Sequence, residues 1–131
     1  MHMKIALLVT AAPHQENAWQ ALQFCRAALA GGHEVPRVFF YGDGAVHGNA
    51  LLLPPQDEAH VTRDWQRLAG EHGIELVVCI AAALKRGVMD ADTAQREEKS
   101  VANLAPGFVI SGLGQLAEVM IEADRLVSFP G

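Results

Sequence analysis

The residue in this chain best placed to carry chemistry is a cysteine, and the chemistry is that of a thiolate. Cys79 closes the apolar, β-branched run Leu76-Val77-Val78-Cys79, and an alanine-rich segment, Ile80-Ala81-Ala82-Ala83-Leu84-Lys85-Arg86, follows at once with Gly87 placed to stop it. A strand running directly into a helix puts Cys79 at the carboxyl end of the strand and at the helix start. Open α/β sheets bind their ligands at that edge. The unpaired N–H groups of a helix start stabilise an anion, and for cysteine the anion is the thiolate, its nucleophilic form. The competing reading is that Cys79 is an apolar filler, since free cysteine is among the most buried residue types.

The second cysteine, Cys25, falls on the same helical stripe as Ala18, Leu22 and Leu29. It reads as core packing, because nothing beside it would favour a thiolate. The two cysteines are too far apart in sequence to form a Cys-x-x-Cys pair, and a reducing compartment disfavours a structural disulfide. The histidines His2, His14, His33, His47, His60 and His72 include no pair at the spacing that puts two metal ligands on one helix face. Lys85 and Arg86 fall in the last turn after Cys79. Their expected role is interaction with the helix C-terminal dipole. At ~1.5 Å per residue they stand about 9–10 Å along the axis from the thiol.

Alternating strand and helix patterns must position these groups. Lys4–Thr10 is a continuous apolar run, as expected for a strand buried on both faces of a parallel sheet. Glu16–Ala30 is an amphipathic helix stopped by Gly31-Gly32. Glu34–Tyr41 is the second strand, with Pro36 near its start. Residues 42–56 form a long connection holding Gly42-Asp43-Gly44 and Leu51-Leu52-Leu53. The leucine triplet either tucks into the core or meets another chain. Asp57–His72 is the second helix, with Asp57 as its cap and Val61, Trp65 and Leu68 as its buried stripe. Glu75–Cys79 is the third strand. Val88–Gly107 is polar, with a helical turn near Asp92–Glu98 capped by Asp90 or Asp92. It reads either as a lid over the cysteine or as a solvated loop. Phe108–Ser111 is the fourth strand. A helix from Gly112-Leu113-Gly114 to Ala123 follows, with Leu113, Leu116, Ala117 and Met120 expected to face inward. Leu126–Phe129 is the last strand. The expectation is one domain, 1–131, of class α/β: three layers, α/β/α, around a mainly parallel five-stranded sheet.

Composition narrows the function. The 131 residues are half apolar and carry a formal net charge of −5. That acidic balance argues against direct nucleic-acid binding. No apolar run reaches the ~18–20 residues of a membrane span, and the N-terminus does not resemble a signal peptide, so a cytoplasmic protein without membrane contact is expected. No Gly-x-x-x-x-Gly-Lys phosphate loop occurs.

Three segments in order, Val38-Phe39-Phe40-Tyr41 with Gly42-Asp43-Gly44, then Val78-Cys79-Ile80-Ala81-Ala82-Ala83 ending in Arg86-Gly87, then Ile110-Ser111-Gly112-Leu113-Gly114-Gln115-Leu116, resemble the DsrE/TusD family of sulfur-relay proteins over nearly the whole chain. The resemblance implies the DsrE-like α/β/α fold. It also implies a sulfurtransferase that carries sulfane sulfur as a persulfide on Cys79, with no cofactor or metal. Two homologous small subunits would complete a heterohexamer, two copies of each. A TusA-like protein would donate the sulfur and a TusE- or DsrC-like protein would accept it, for tRNA 2-thiouridine synthesis or for dissimilatory sulfur oxidation. An isolated chain would form a homo-oligomer in place of the heteromeric contacts. Two other readings stay open: a non-catalytic assembly subunit in which Cys79 is filler, and a flavodoxin-like small-molecule module using the glycine loops at Gly42–Gly44 and Gly112–Gly114.

Overall fold

The computed structural model describes all residues, 1–131. Strands β1 (Ile5–Val9), β2 (Arg37–Phe40), β3 (Glu75–Cys79), β4 (Phe108–Ser111) and β5 (Arg125–Phe129) form one sheet in the order β4-β3-β2-β1-β5. Every pairing is parallel, so the sheet is wholly and not just mainly parallel. Helices α1 (Glu16–Ala30), α2 (Val61–His72), α3 (Ile80–Lys85), α4 (Ala91–Arg96) and α5 (Leu113–Glu122) make the crossovers.

Alternation along the strands sorts the sheet into two faces. Val9, Phe40, Val78 and Ile110 share one, by register. There Phe40 meets the Trp65 ring of α2 edge-on at 5.7 Å and the Phe108 ring at 5.5 Å. Phe24 of α1 stacks near Phe129 at 5.6 Å, so α1 and α2 cover this face. Alanines on the inner side of α1, at positions 18, 21 and 28, are buried and let that helix lie close to the sheet.

The other face carries Leu8, Phe39, Val77 and Cys79. Its covering helix is α5. Arg37 of β2 ties the two together: Nη1 donates to the Gln115 carbonyl at 3.3 Å, and the guanidinium sits 3.0 Å from Glu75 and 3.9 Å from Glu118. One ten-residue helix is too little to cover five strands, and Val109 of β4 remains half exposed.

Several boundaries differ from expectation, each for a local reason. Strand β2 starts at Arg37 because Pro36 has no N–H to give the ladder; only its carbonyl is used, accepting from Glu75 N at 3.0 Å. Helix α2 starts at Val61, and Asp57 does not cap it. Pro54-Pro55 lead into a turn closed by Glu58 N to Pro55 O, and the cap is His60, whose Nδ1 accepts from Arg63 N at 3.4 Å. Of the two capping candidates for α4, Asp90 takes the role, accepting from Thr93 N at 2.9 Å.

The connection after β2 is largely ordered: Gly42–Gly48 is a 3₁₀ helix. Gly44 lies against the Val9 carbonyl so closely that a Cβ would overlap it. His47 is fully buried beside Phe40. Its Nε2 faces the Ala11 carbonyl at 3.1 Å and so carries the proton, while Nδ1 has no partner. Burial pushes its pKa down to about 4. Leu51 and Leu53 do not tuck into the core; Leu53 is 84% exposed.

The clearest correction concerns α5. Leu113, Ala117 and Met120 point outward with Ile121, which is 84% exposed, and only Leu116 is partly covered. The buried residue is Val119, at 6%. Positions 113, 117, 120 and 121 form one stripe at helical spacing, so α5 is apolar on both sides.

Two outcomes are expected. Val119→Ala should cost about 1–2 kcal/mol in urea unfolding, while Ile121→Ser should stay within about 0.5 kcal/mol; the reverse ranking would contradict this orientation of α5. An imidazole held at about 4 in the fold takes up its proton more readily once unfolded, so stability falls as pH drops from 6.5 towards 4. His47→Gln, which keeps a donor for Ala11, should remove about 3 kcal/mol of that acid sensitivity, read from unfolding midpoints across this window.

Candidate functional site

The site is assembled where three strands end. Strand β3 is paired on both sides, and its last residue, Cys79, lies in register with Ser111 of β4. The chain turns into α3 immediately, with Cys79 as the N-cap at φ −62, ψ 125 and no side-chain cap bond. The turn works because no loop residue intervenes: β-branched Val77 and Val78 favour the strand and the following alanines favour helix. Gly87, at φ 74, then closes α3. Val88 N donates to the Ala83 carbonyl and Gly87 N to the Leu84 carbonyl, the paired bonds of a Schellman stop. Helix α3 has only six residues. It therefore offers Cys79 the free amides of its first turn and little macrodipole.

Cys79 is 2% exposed and lines the floor of an open cleft of about 410 Å³. Tyr41 and Gly42 form one wall, Gly112 and Leu113 another, and α3 supplies Ile80, Ala81 and Ala82. Both glycine loops singled out in the sequence thus border the cysteine. Cys25 is the opposite case. It is wholly buried in the core, and burial pushes its thiol up to about 12, against a smaller lowering effect from Arg26. The two cysteines are both free.

Lys85 and Arg86 also line this cleft, which axial distance alone did not anticipate. Helical side chains lean toward the N-terminus, and Arg86 does so: its Nη1 donates to the Ala82 carbonyl, four residues back, at 3.0 Å. Its Nε and Nη2 reach Asp43 Oδ1 at 3.1 and 3.0 Å. Arg86 therefore clamps the Gly42–Gly48 segment onto the cysteine helix.

Residues 88–107 contribute nothing to the cleft wall and are not a lid over it. They are docked elsewhere by Asn103, a residue that no motif or spacing marks out. Its Nδ2 donates to Asn49 Oδ1 at 3.1 Å and to the Gly87 carbonyl at 2.9 Å, its Oδ1 accepts from Met89 N at 3.0 Å, and its carbonyl accepts from Ala50 N at 2.7 Å. No group of three His, Cys, Asp or Glu side chains converges, and no helix is long and apolar enough to cross a membrane.

The DsrE/DsrF-like family model matches residues 3–129. The chain belongs to that family. It is 48% identical to the DsrE protein of Allochromatium vinosum over 97% of this chain and 98% of the other. It is 50% identical to the sulfurtransferase TusD of Serratia proteamaculans over 87% and 88% of the two chains, and 47% identical to the sulfurtransferase TusD homolog of Pseudomonas aeruginosa over 98% of each. Among solved structures, the ychN protein of E. coli superposes with a TM-score of 0.77 at 20% identity, covering 96% of this chain and 98% of that one. That likeness confirms the DsrE-like fold.

The contrast between the two thiols predicts their chemistry. Iodoacetamide at pH 8 should alkylate Cys79 in the native protein and leave Cys25 untouched, with a rate ratio of at least about a hundredfold that vanishes in denaturant. Peptide mapping reads the ratio; equal labelling of the native protein would remove the basis for separating them.

Proposed function

We propose that this chain is a sulfurtransferase that carries sulfane sulfur on Cys79 as a persulfide and passes it to an acceptor protein. The observation that carries the reading is that, of two free cysteines, one is sealed in the core and the other lines a cleft at the strand–helix junction. Family membership and relatives named sulfurtransferase support it.

The reaction balances without an oxidant. Cys79 as thiolate attacks the outer sulfur of a donor persulfide. The donor's S–S bond breaks, its thiolate leaves, and Cys79 gains the sulfane sulfur. The acceptor thiolate then attacks the outer sulfur of the Cys79 persulfide, the S–S bond breaks, and the Cys79 thiolate leaves, ready for the next cycle. The attacking form is the thiolate, the nucleophilic state of cysteine, and at the head of α3 no side-chain cap bond engages the sulfur. One cysteine lining the cleft is enough, since a relay needs no resolving thiol. The assignment needs no metal or organic cofactor.

The donor in this reading is a TusA-like protein and the acceptor a TusE- or DsrC-like protein, with two homologous subunits completing a heterohexamer and no direct contact with nucleic acid or membrane. The outward stripe of α5 and the exposed Leu51 and Leu53 are apolar surface available for such subunits. The cytoplasm, where thiols stay reduced, suits a persulfide carrier. Relatives of similar identity are named both TusD and DsrE, so the sulfur is destined for tRNA thiolation or for sulfur oxidation.

Intact-protein mass spectrometry after exposure to a persulfide-loaded donor tests the site. Wild type and Cys25→Ser should gain one sulfur atom, and Cys79→Ser none. Sulfur retained by Cys79→Ser, or absent from wild type supplied with its companion subunits and a donor proven on another acceptor, would sink the assignment in favour of an assembly subunit.

A further inference from the structure

We propose that the ammonium group of Lys85 recognises a carboxylate on the protein segment that exchanges sulfur with Cys79, so that the cleft selects an acidic partner segment. The inference rests on the sulfur-carrying role of Cys79 and adds to it the chemistry of the partner.

The charges around the cleft are one-sided. The chain as a whole has 15 acidic against 10 basic side chains, yet the residues lining the cysteine cleft include Lys85 and Arg86 and no Asp or Glu. The two cations are not equivalent. Arg86 is committed: Asp43 neutralises it and the Ala82 carbonyl takes its remaining arm. Lys85 is exposed, on the cleft wall, and makes no ion pair or side-chain hydrogen bond. A six-residue helix gives it little dipole to neutralise. Lys85 is thus an uncompensated cation on the wall of the cleft that Cys79 lines.

The rest of the wall specifies the other half of the ligand. Tyr41, Ile80 and Leu113 each expose more than a third of their surface around the cleft, and Gly42 and Gly112 leave room for a backbone. A short peptide fits this lining: an apolar residue against Tyr41 and Leu113, the reacting cysteine over Cys79, and a carboxylate at Lys85. Long-range attraction between an acidic segment and this cation would speed encounter and weaken with salt.

Two blocked peptides of equal length test this, each with a cysteine persulfide flanked by either Asp or Asn, used on the full-length chain. Wild type should load sulfur about three- to fivefold faster from the Asp peptide, the size expected of one partly exposed charge pair. Lys85→Gln should bring the ratio to about one, and Lys85→Arg should restore it. Equal loading of wild type by both peptides, or a preference that survives in Lys85→Gln, would overturn the proposal while leaving Cys79 as the sulfur carrier. If neither peptide loads Cys79, the carrier reading is decided by the protein-donor experiment above and the proposal is judged by alkylation alone. The iodoacetate-to-iodoacetamide rate ratio at Cys79 then supports it by falling about three- to fivefold in Lys85→Gln, and overturns it by staying unchanged.

Discussion

Everything at the site depends on the double pairing of β3. A strand hydrogen-bonded to β2 on one side and β4 on the other has no freedom to slide, because a one-residue slip would exchange its two faces. Leu76 and Val78 face the Trp65 side, and Val77 and Cys79 face α5. Burying both sets at once locks the register. The thiol is therefore held at a defined height above the sheet edge by backbone bonds alone. Ala82 and Ala83, buried beneath the next turn, and the Schellman stop at Gly87 hold the helix that follows.

The supports around this strand come from far away in sequence. Arg86 joins the cysteine helix to Asp43, and Asn103 joins the stop of that helix to the Asn49–Ala50 turn. Both are polar clasps using several bonds from one side chain, a geometry that carries directional information which apolar packing does not. The cleft wall built by Gly42 and the floor built by Cys79 are thereby held in a fixed relation.

Much of this was legible beforehand. Parallel strands buried on both faces read as unbroken apolar runs, and β3, β4 and α1 fall where those runs and their glycine stops put them. The junction at Cys79 needed no tertiary knowledge, since β-branched residues give way to alanines within one step. The orientation of α5 was not legible. The polar residues Gln115, Glu118 and Glu122 of this helix share one stripe, but the buried Val119 lies at the edge of the remaining apolar arc and not at its centre, so Leu113 and Met120 read as core when they are surface. The Arg86–Asp43 and Asn103 clasps were equally hidden, because pattern within a segment says nothing of partners dozens of residues away. The Pro-Pro turn before α2 misled in another way: it used Asp57, a good capping residue, for something other than a cap.

The outward turn of Leu113 has a geometric consequence. This residue belongs to the uncovered stripe of α5 and also to the rim of the cysteine cleft. Any chain laid over that stripe would also border the cleft that Cys79 lines. A chain docked on α5 would therefore meet the cysteine cleft at a single leucine, and its own residues would complete the wall that this chain leaves open.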